Sequence, residues 1–344
     1  MPARSILRNL VLGVGASCLV GPALADITWT FNVSSTGTKA ADITNAQTEI
    51  NHTPQGNGGT PDNSITPNTS TNTSGSWGNT VTATGSQNGQ TVTATSQAWS
   101  NTGNTTLGNN ATNTTTTGQA SATTALETAY LGLYTGGIGV NNRDGLGSGA
   151  NTGDNTGNGS TTSPDTYSNA PEHAIDNNGR YDSVLFSFNT AVDVNSFTIG
   201  YPPSGGLDSD MLVLAYTGSG TPITSGTSTY ASMLTNGWTA IGGTTVNGAP
   251  NVYSNVANNT NQTAVVNCTL SNCFYQYWLI GTYIPLWNGG AQPDSSSDFA
   301  KILSVTGAPK QGKVPEPGSL LLAGAALGMG TIVRRMRKRI AGAS

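Results

Sequence analysis

The chain has 344 residues, of which only 9% are charged and 45 are glycine, and its formal net charge is −4. Between Asp26 and Lys313 the balance is more acidic, because six Lys and Arg residues stand against sixteen Asp and Glu residues, a formal charge of −10. Such a composition excludes a nucleic-acid partner, since phosphate binding depends on basic charge. Divalent cations and neutral polysaccharides are compatible with it.

The first 25 residues have the three parts of a secretory signal peptide. Two arginines precede an apolar stretch at residues 10–20. Ala23 and Ala25 then form an Ala-x-Ala cleavage site before Asp26. We therefore predict that signal peptidase removes residues 1–25 during export.

Residues 26–127 are rich in Thr, Asn, Ser and Gly and form a separate segment in our division of the chain. The sequence TVTATG at residues 80–85 returns as TVTATS at residues 91–96. Alternation of Thr with Val or Ala is typical of exposed β-strands, and the low apolar content predicts edge strands, loops and partial disorder. The sequence ITWTFNV at residues 27–33 is expected to add a strand to the core of the next domain.

Residues 128–308 contain many short apolar or alternating runs, such as SVLFSF, DMLVLAY and YWLIGTY, separated by Gly, Pro, Asn and Ser. Many short strands without a long helical period predict an all-β domain, with a β-sandwich or jelly-roll-like body. One short helix is predicted within residues 227–237, with Ser228 as its N-cap.

Cys268 and Cys273 are the two cysteines that remain once the signal peptide is removed. An even pair in an exported protein favours a disulfide, here across a local turn. Metal binding by the pair is the weaker alternative, because no His or second Cys pair completes a tetrahedral site.

Four aspartates form a candidate calcium site. Asp208 and Asp210 lie two residues apart, so both side chains are expected on one side of a strand. Asp176 and Asp182 enclose a sequence that resembles a calcium loop in composition, although Arg180 stands where an EF-hand needs Asp or Asn. Calcium binding, catalysis by paired carboxylates as in glycoside hydrolysis, and solvation or turn capping are the alternatives for these residues.

The sequence shows no catalytic constellation of a hydrolase. His52 and His173 are its two histidines, and it contains no Gly-x-Ser-x-Gly elbow. We predict a protein without enzymatic activity and without a cofactor, calcium excepted. Trp77, Trp99 and Tyr201 are candidates for stacking on sugar rings, although aromatic residues of β-proteins are more often part of the core.

Residues 309–344 combine a proline-acid-proline motif, an apolar run and a basic cluster. Val314, Pro315, Glu316 and Pro317 precede an uncharged run at residues 319–333. The basic cluster consists of Arg334, Arg335, Arg337, Lys338 and Arg339. Basic flanks of apolar segments stay cytoplasmic, so the preceding chain is expected outside the membrane. The run predicts a helix that is short for a permanent transmembrane span, because such a span needs about 20 residues.

This three-part end resembles the PEP-CTERM sorting signal of Gram-negative bacteria. The resemblance implies that an exosortase, a membrane protease, cuts near the motif after transient insertion into the inner membrane. Cleavage would release the protein or re-attach it at the cell surface. Sequences such as LGLYTGGIGVNNRD and DFAKILSVTG are similar to the body of exosortase-dependent surface proteins, a group without an assigned molecular activity.

Together these features predict an exported, non-enzymatic protein of the cell surface or extracellular matrix that is associated with biofilm exopolysaccharide. The alternative is a carbohydrate-binding β-sandwich module, with or without a dependence on calcium. A secreted glycosidase is a more distant alternative.

Overall fold

The structure is a computed structural model that describes residues 26–32, 42–47, 76–87, 89–101, 121–134, 136–141, 174–177, 180–201, 208–256, 260–286, 290–294 and 298–310. The signal segment with Ala23 and Ala25, both histidines, the expected sorting helix, the proline-acid-proline motif and the basic cluster lie outside these residues.

The described part of the chain is nearly all β, which confirms the predicted all-β class. Its strands are β1 (Ile27–Thr30), β2 (Asp42–Gln47), β3 (Ser76–Gln87), β4 (Gln90–Ser100), β5 (Glu127–Tyr134), β6 (Gly137–Asn141), β7 (Ile175–Asp176), β8 (Asp182–Ile199), β9 (Met211–Tyr216), β10 (Trp238–Ala240), β11 (Thr244–Val246), β12 (Ala249–Val252), β13 (Gln262–Val265), β14 (Tyr275–Thr282), β15 (Phe299–Ala300) and β16 (Ile302–Pro309). Its helix, α1, spans Tyr230–Met233.

Within the described residues, twelve strands form one antiparallel sheet that curls on itself. The 18-residue strand β8 holds the curl together. Its first half pairs with β4 and β14, and its second half pairs with β13 and β16. Because β16 also pairs with β6, the sheet returns to β8 and encloses the main core.

Strand β9 is buried on both of its faces. Successive side chains of a strand point to opposite sides. Met211 and Val213 therefore join the main core inside the curl, whereas Leu212 and Leu214 join a second core that includes Tyr230 of α1. Burial on both faces explains why DMLVLAY is apolar in a continuous run and does not alternate.

The two related Thr-rich sequences form a hairpin, in which β3 and β4 pair from Thr80↔Gln97 to Gln87↔Gln90. Our expectation of exposed edge strands was wrong for β4, which lies between β3 and β8. Its Val92 and Ala94 are fully buried, while the intervening Thr93 lies on the other face. The small inward-facing side chains of β4, Val92 and Ala94, therefore belong to the same core as its aromatic residues. Strand β1 contributes the buried Trp29 to this core, as predicted.

The N-cap of helix α1 lies one residue after the predicted N-cap, Ser228. Its N-cap is Thr229, whose side chain accepts a hydrogen bond from the N–H of Ser232, while the Ser232 hydroxyl accepts one from the N–H of Thr229. Ser228 instead accepts a hydrogen bond from the N–H of Thr224. The reciprocal pair of bonds is a capping box, which Ser at position 232 completes in place of the usual Glu or Gln. In the described ranges no helix is long and apolar enough to cross a membrane.

The predicted disulfide between Cys268 and Cys273 is confirmed. The two Cα atoms are 5.9 Å apart, and the bridge closes a loop between β13 and β14. Cys268 and Leu270 are partly buried against the main core, so the bridge fastens this loop to the sheet.

The two ends of the described body lie side by side. Strand β1 runs antiparallel to β16, with Ile27 opposite Gly307. The side chain of Asn195 donates a hydrogen bond of 2.9 Å to Asp26 Oδ1, and the N–H of Lys310 donates one of 2.7 Å to the carbonyl oxygen of Ala191. Both ends of the body therefore leave the sheet beside the same stretch of β8.

Candidate functional site

Three buried carboxylates converge at one side of the sheet. Asp208 and Asp210 immediately precede β9, and Asp298 immediately precedes β15. One carboxylate oxygen of each lies within 4.8 Å of the others. The side chains are 7%, 1% and 2% exposed, respectively, so the cluster lies almost entirely out of solvent.

Backbone pairing brings these distant parts of the chain together. Asp208 and Asp298 face each other in an isolated parallel β-bridge. In this bridge the N–H of Phe299 donates a hydrogen bond of 3.0 Å to the carbonyl oxygen of Asp208. The bridge sets the distance between the two side chains, which the separate sequences DSDM and DFAK do not indicate.

The carboxylate of Asp298 is held by two donors. The N–H of Asp210 donates to Oδ1 at 2.6 Å, and the side-chain amide of Asn177 donates to Oδ2 at 2.5 Å. The N–H of Asp298 in turn donates to Asn177 Oδ1 at 2.8 Å. Donors at both oxygens favour the ionised form of a carboxyl group.

Asp210 is oriented by the turn that follows β12. The N–H of Asn255 donates to Asp210 Oδ1 at 2.7 Å, and Ser254 also forms a hydrogen bond with this side chain. Asn255 has a φ of 49°, in the left-handed region that asparagine tolerates better than most residues. The left-handed turn thus places a backbone donor at the cluster.

Asp208 differs from its two neighbours in one respect. Its Oδ1 atom is shielded from solvent and accepts no hydrogen bond from the described residues. Its other interactions are with Asp298 and with Asp294, whose exposed side chain lies at the solvent side of the cluster. A buried acceptor without a donor is unfavourable by itself and indicates a position for a ligand atom.

Burial is the main influence on the acidity of the cluster. It raises the pKa of Asp208 to about 6, and it raises the pKa of Asp298 well above its usual value and that of Asp210 to a lesser degree. The neighbouring charges that raise the pKa of these carboxyls are one another and Asp294. Like charges in a buried site need a proton or a cation to neutralise them.

The nearest lysine along the chain is engaged elsewhere. Lys301 is 2% exposed, and its Nζ atom lies 4.5 Å from the ring centre of Tyr134 and 3.8 Å from that of Tyr201. Burial lowers the pKa of this lysine to about 7, and the two ring faces stabilise its charged form.

The structure brings together two of the four aspartates in the predicted calcium set. Asp176 lies on β7 opposite Phe299, so its neighbour Asn177 reaches Asp298, but Asp176 is not among the three clustered carboxylates. Asp182 lies on β8 opposite Ser100 of β4, and its charge acts on Tyr230. The sequence reasoning missed Asp298, whose only local signal is its position before an apolar strand.

The aromatic residues proposed for sugar stacking have different surroundings. Trp99 is 4% exposed and belongs to the second core, so it is not available to a sugar ring. Tyr201 is 37% exposed, but its ring face covers Lys301. The side chain of Trp77 lies outside the described residues.

A short stretch at the C-terminal end of the chain matches a known sequence family. Residues 313–338 match the family described as the PEP-CTERM protein-sorting motif. The chain therefore carries the sorting signal that its final residues predicted, and the motif supports export across the inner membrane of a Gram-negative bacterium with an exosortase as the processing partner. No curated protein matches the chain.

Proposed function

We propose that this chain is a non-enzymatic protein of the cell surface or extracellular matrix, associated with exopolysaccharide, which an exosortase processes at Val314–Pro317. The observation that carries the proposal is the sorting motif at residues 313–338, which begins three residues after the last described residue, Lys310. Its apolar and basic parts act as a sorting signal, and processing near the motif removes them from the mature protein.

The fold supports removal of both ends. Strand β16 ends at Pro309, so cleavage at the motif takes no described strand from the sheet. At the other end strand β1 begins with Ile27, which is 4% exposed and is the second residue after the predicted signal-peptide junction between Ala25 and Asp26. The mature chain thus retains every described element of the body.

The positions of the ends also support processing at a membrane. Lys310 and Val314 are four residues apart, and an extended chain spans at most about 3.6 Å per residue, so the chain between them reaches at most roughly 14 Å. Asp26 and Lys310, the described residues nearest the two processing sites, both lie beside β8. We propose that this side of the body faces the inner membrane during export.

A body without catalytic activity agrees with the surroundings of the aspartates. Glycoside hydrolysis requires two carboxyl groups on either side of an accessible glycosidic bond. Asp210 and Asp298 are at most 2% exposed and are bound by N–H donors, which leaves no access for a sugar between them. We propose that the curled sheet is a β-sandwich or jelly-roll-like scaffold and that its buried carboxylates have a structural role.

A calcium-dependent carbohydrate-binding module is the second candidate, and the carboxylate cluster is the observation that favours it. The two candidates differ in whether the body itself binds a polysaccharide. Sedimentation of the purified protein with the host exopolysaccharide, with calcium or with chelator, separates them. Calcium-dependent co-sedimentation supports the binding module, whereas association in cells without direct binding supports a matrix component.

Fractionation of cells with and without the exosortase gene tests the sorting proposal. In wild-type cells the protein should reach the surface or the medium without residues 334–344. In the deletion strain the full-length precursor should accumulate in the inner membrane. Recovery of intact residues 334–344 from surface protein of wild-type cells would contradict the proposal and indicate a permanent anchor.

A further inference from the structure

We infer that Asp208, Asp210 and Asp298 form a binding site for a divalent cation, and that calcium occupies it in the exported protein. The inference concerns the body of the protein and does not depend on exosortase processing. It revises the set of four aspartates that the sequence indicated, because Asp298 takes the place of Asp176 and Asp182.

The three aspartates concentrate negative charge in a buried part of the protein. Three carboxylate oxygens from three residues lie within 4.8 Å of one another in side chains that are at most 7% exposed. A fourth carboxylate, Asp294, interacts with Asp208 from the solvent side. The neighbouring charges that raise the pKa of these carboxyls are one another and Asp294, and buried charges are stable when they are paired or coordinate a metal.

The hydrogen bonding of Asp208 Oδ1 is incomplete within the described residues. The protein supplies donors to both oxygens of Asp298 and to Oδ1 of Asp210, but none from the described residues reaches Oδ1 of Asp208. This oxygen belongs to a side chain that is more than nine-tenths buried. A bound cation would satisfy it without any rearrangement of the donors that hold the other two carboxylates.

The ligand atoms favour calcium over other cations. All three are carboxylate oxygens, which suit hard cations and not zinc, whose structural sites use Cys and His. The cysteines of the body are joined in a disulfide. Calcium accepts several carboxylates, in single or bidentate contact, with water completing six to eight ligands, whereas magnesium keeps most of its water and uses one or two carboxylates. Asp294, which interacts with Asp208, is exposed.

A cation at this position would connect separate parts of the fold. Asp208 and Asp210 lie just before β9, and Asp298 lies just before β15, which pairs with β7 in a two-stranded sheet. Through its N–H donor, Asn255 attaches the turn after β12 to the same cluster. Calcium would therefore act as a clamp, and it would stabilise the folded state because the unfolded chain does not bring the three carboxylates together.

Calcium titration of the full chain, purified in mild detergent and stripped with chelator, tests the inference. Isothermal titration calorimetry and the melting temperature are the two readouts. We expect one site with a Kd on the order of 10⁻⁴–10⁻³ M, the range of extracellular calcium modules, and a higher melting temperature in millimolar calcium. Absence of binding heat together with an unchanged melting temperature overturns the inference, and an equal response to magnesium overturns the assignment to calcium.

Asp208→Asn is the most informative variant. Because Asp208 Oδ1 has no donor from the described residues, the amide removes repulsion without breaking a hydrogen bond at that atom. We expect the metal-free variant to melt at or above the wild-type temperature and its calcium affinity to fall about tenfold or more. A lower melting temperature with unchanged calcium affinity would instead show an ordinary structural carboxylate.

Two further variants keep the test decisive. Asp210→Asn retains an acceptor for the N–H of Asn255 and should also lose calcium binding, so it replaces Asp208→Asn if that variant fails to fold. Asp193→Asn is the matched control, because Asp193 is a partly buried carboxylate near Asp26 and outside the cluster. Its calcium response should equal that of the wild type, and loss of the response in this control would contradict the assignment of the site.

Discussion

The N–H of Asp210 donates a 2.6 Å hydrogen bond to Oδ1 of Asp298, a residue 88 positions further along the chain. This bond joins the start of β9 to the start of β15 and positions two acidic side chains beside each other. A structural role alone does not require an acid here, since a neutral amide oxygen accepts the same bond. The acidic pair is understandable if the cluster holds a cation.

Asn177 is not one of the three clustered carboxylates, but replacing it by Ala should destabilise the protein at Asp298. Asn177 donates to Asp298 Oδ2 and accepts from the N–H of Asp298, so the variant loses both bonds in a buried environment. We expect a loss of about 1–3 kcal/mol in the free energy of unfolding, measured by urea denaturation in chelator. Calcium should recover part of this loss by orienting Asp298. Asn236→Ala, at an exposed position after α1, is the control and should have a much smaller effect.

Removing the disulfide should destabilise the body modestly. Cys268 and Cys273 are five positions apart, and a short closed loop restricts the unfolded chain only by a small amount. Replacement of both by Ser should lower the free energy of unfolding by on the order of 2 kcal/mol. Mass spectrometry after alkylation without reduction checks the bond itself, and two alkylated thiols in the exported protein would contradict it.

The stability of the body should rise with pH between about pH 7 and pH 9.5 because of Lys301. Burial lowers the pKa of this lysine to about 7 in the folded state, while an unfolded lysine titrates near 10.4. In this interval the unfolded state binds more protons than the folded state. The destabilisation of the folded state by the buried amine is therefore full below about pH 7 and is lost above the pKa of the unfolded lysine. Burial raises the pKa of Tyr253 and Tyr283 to about 12, so their effect begins only above this interval.

Urea denaturation of Lys301→Met across the same interval measures the contribution of Lys301. The variant should show a flatter dependence of the free energy of unfolding on pH. Lys310→Met provides the comparison, because Lys310 is exposed and its replacement should keep the wild-type slope. Equal slopes in wild type and Lys301→Met would show that Lys301 stays charged between its two tyrosine rings.

Replacing Pro315, Glu316 and Pro317 by Ala should block processing. The prolines oppose helix formation, and without them the helix predicted for the apolar run would extend into the cleavage region. Uncut precursor should then accumulate in the membrane fraction, as detected with an antibody against the body. Gln311→Ala with Gly312→Ala is the control just outside the matched residues and should be processed normally. Normal cleavage of the triple variant would show that the protease does not read this motif.

Local patterns in the sequence identified the features that depend on neighbouring residues. The sorting motif is contiguous, and its recognition required no fold. The disulfide joins cysteines five positions apart, so one turn is enough to form it. The alternating and apolar runs likewise predicted the all-β class, because the period of two is a local property of a strand. The N-cap of α1 was misplaced by one residue, since both Ser228 and Thr229 are suitable caps.

Only the tertiary structure decided which strands are central and which acids meet. Thr-rich β4 looks exposed by composition, yet its pairing with β8 buries every second side chain. Asp208 finds Asp298 through a parallel bridge, whereas Asp182, closer to it in sequence, lies beside Tyr230. Side-chain spacing along a strand determines which face a residue occupies, but the partner across the sheet depends on how the chain curls. The sequence alone identified the sorting motif, because the motif is contiguous, and the curled sheet determined where the buried carboxylates converge.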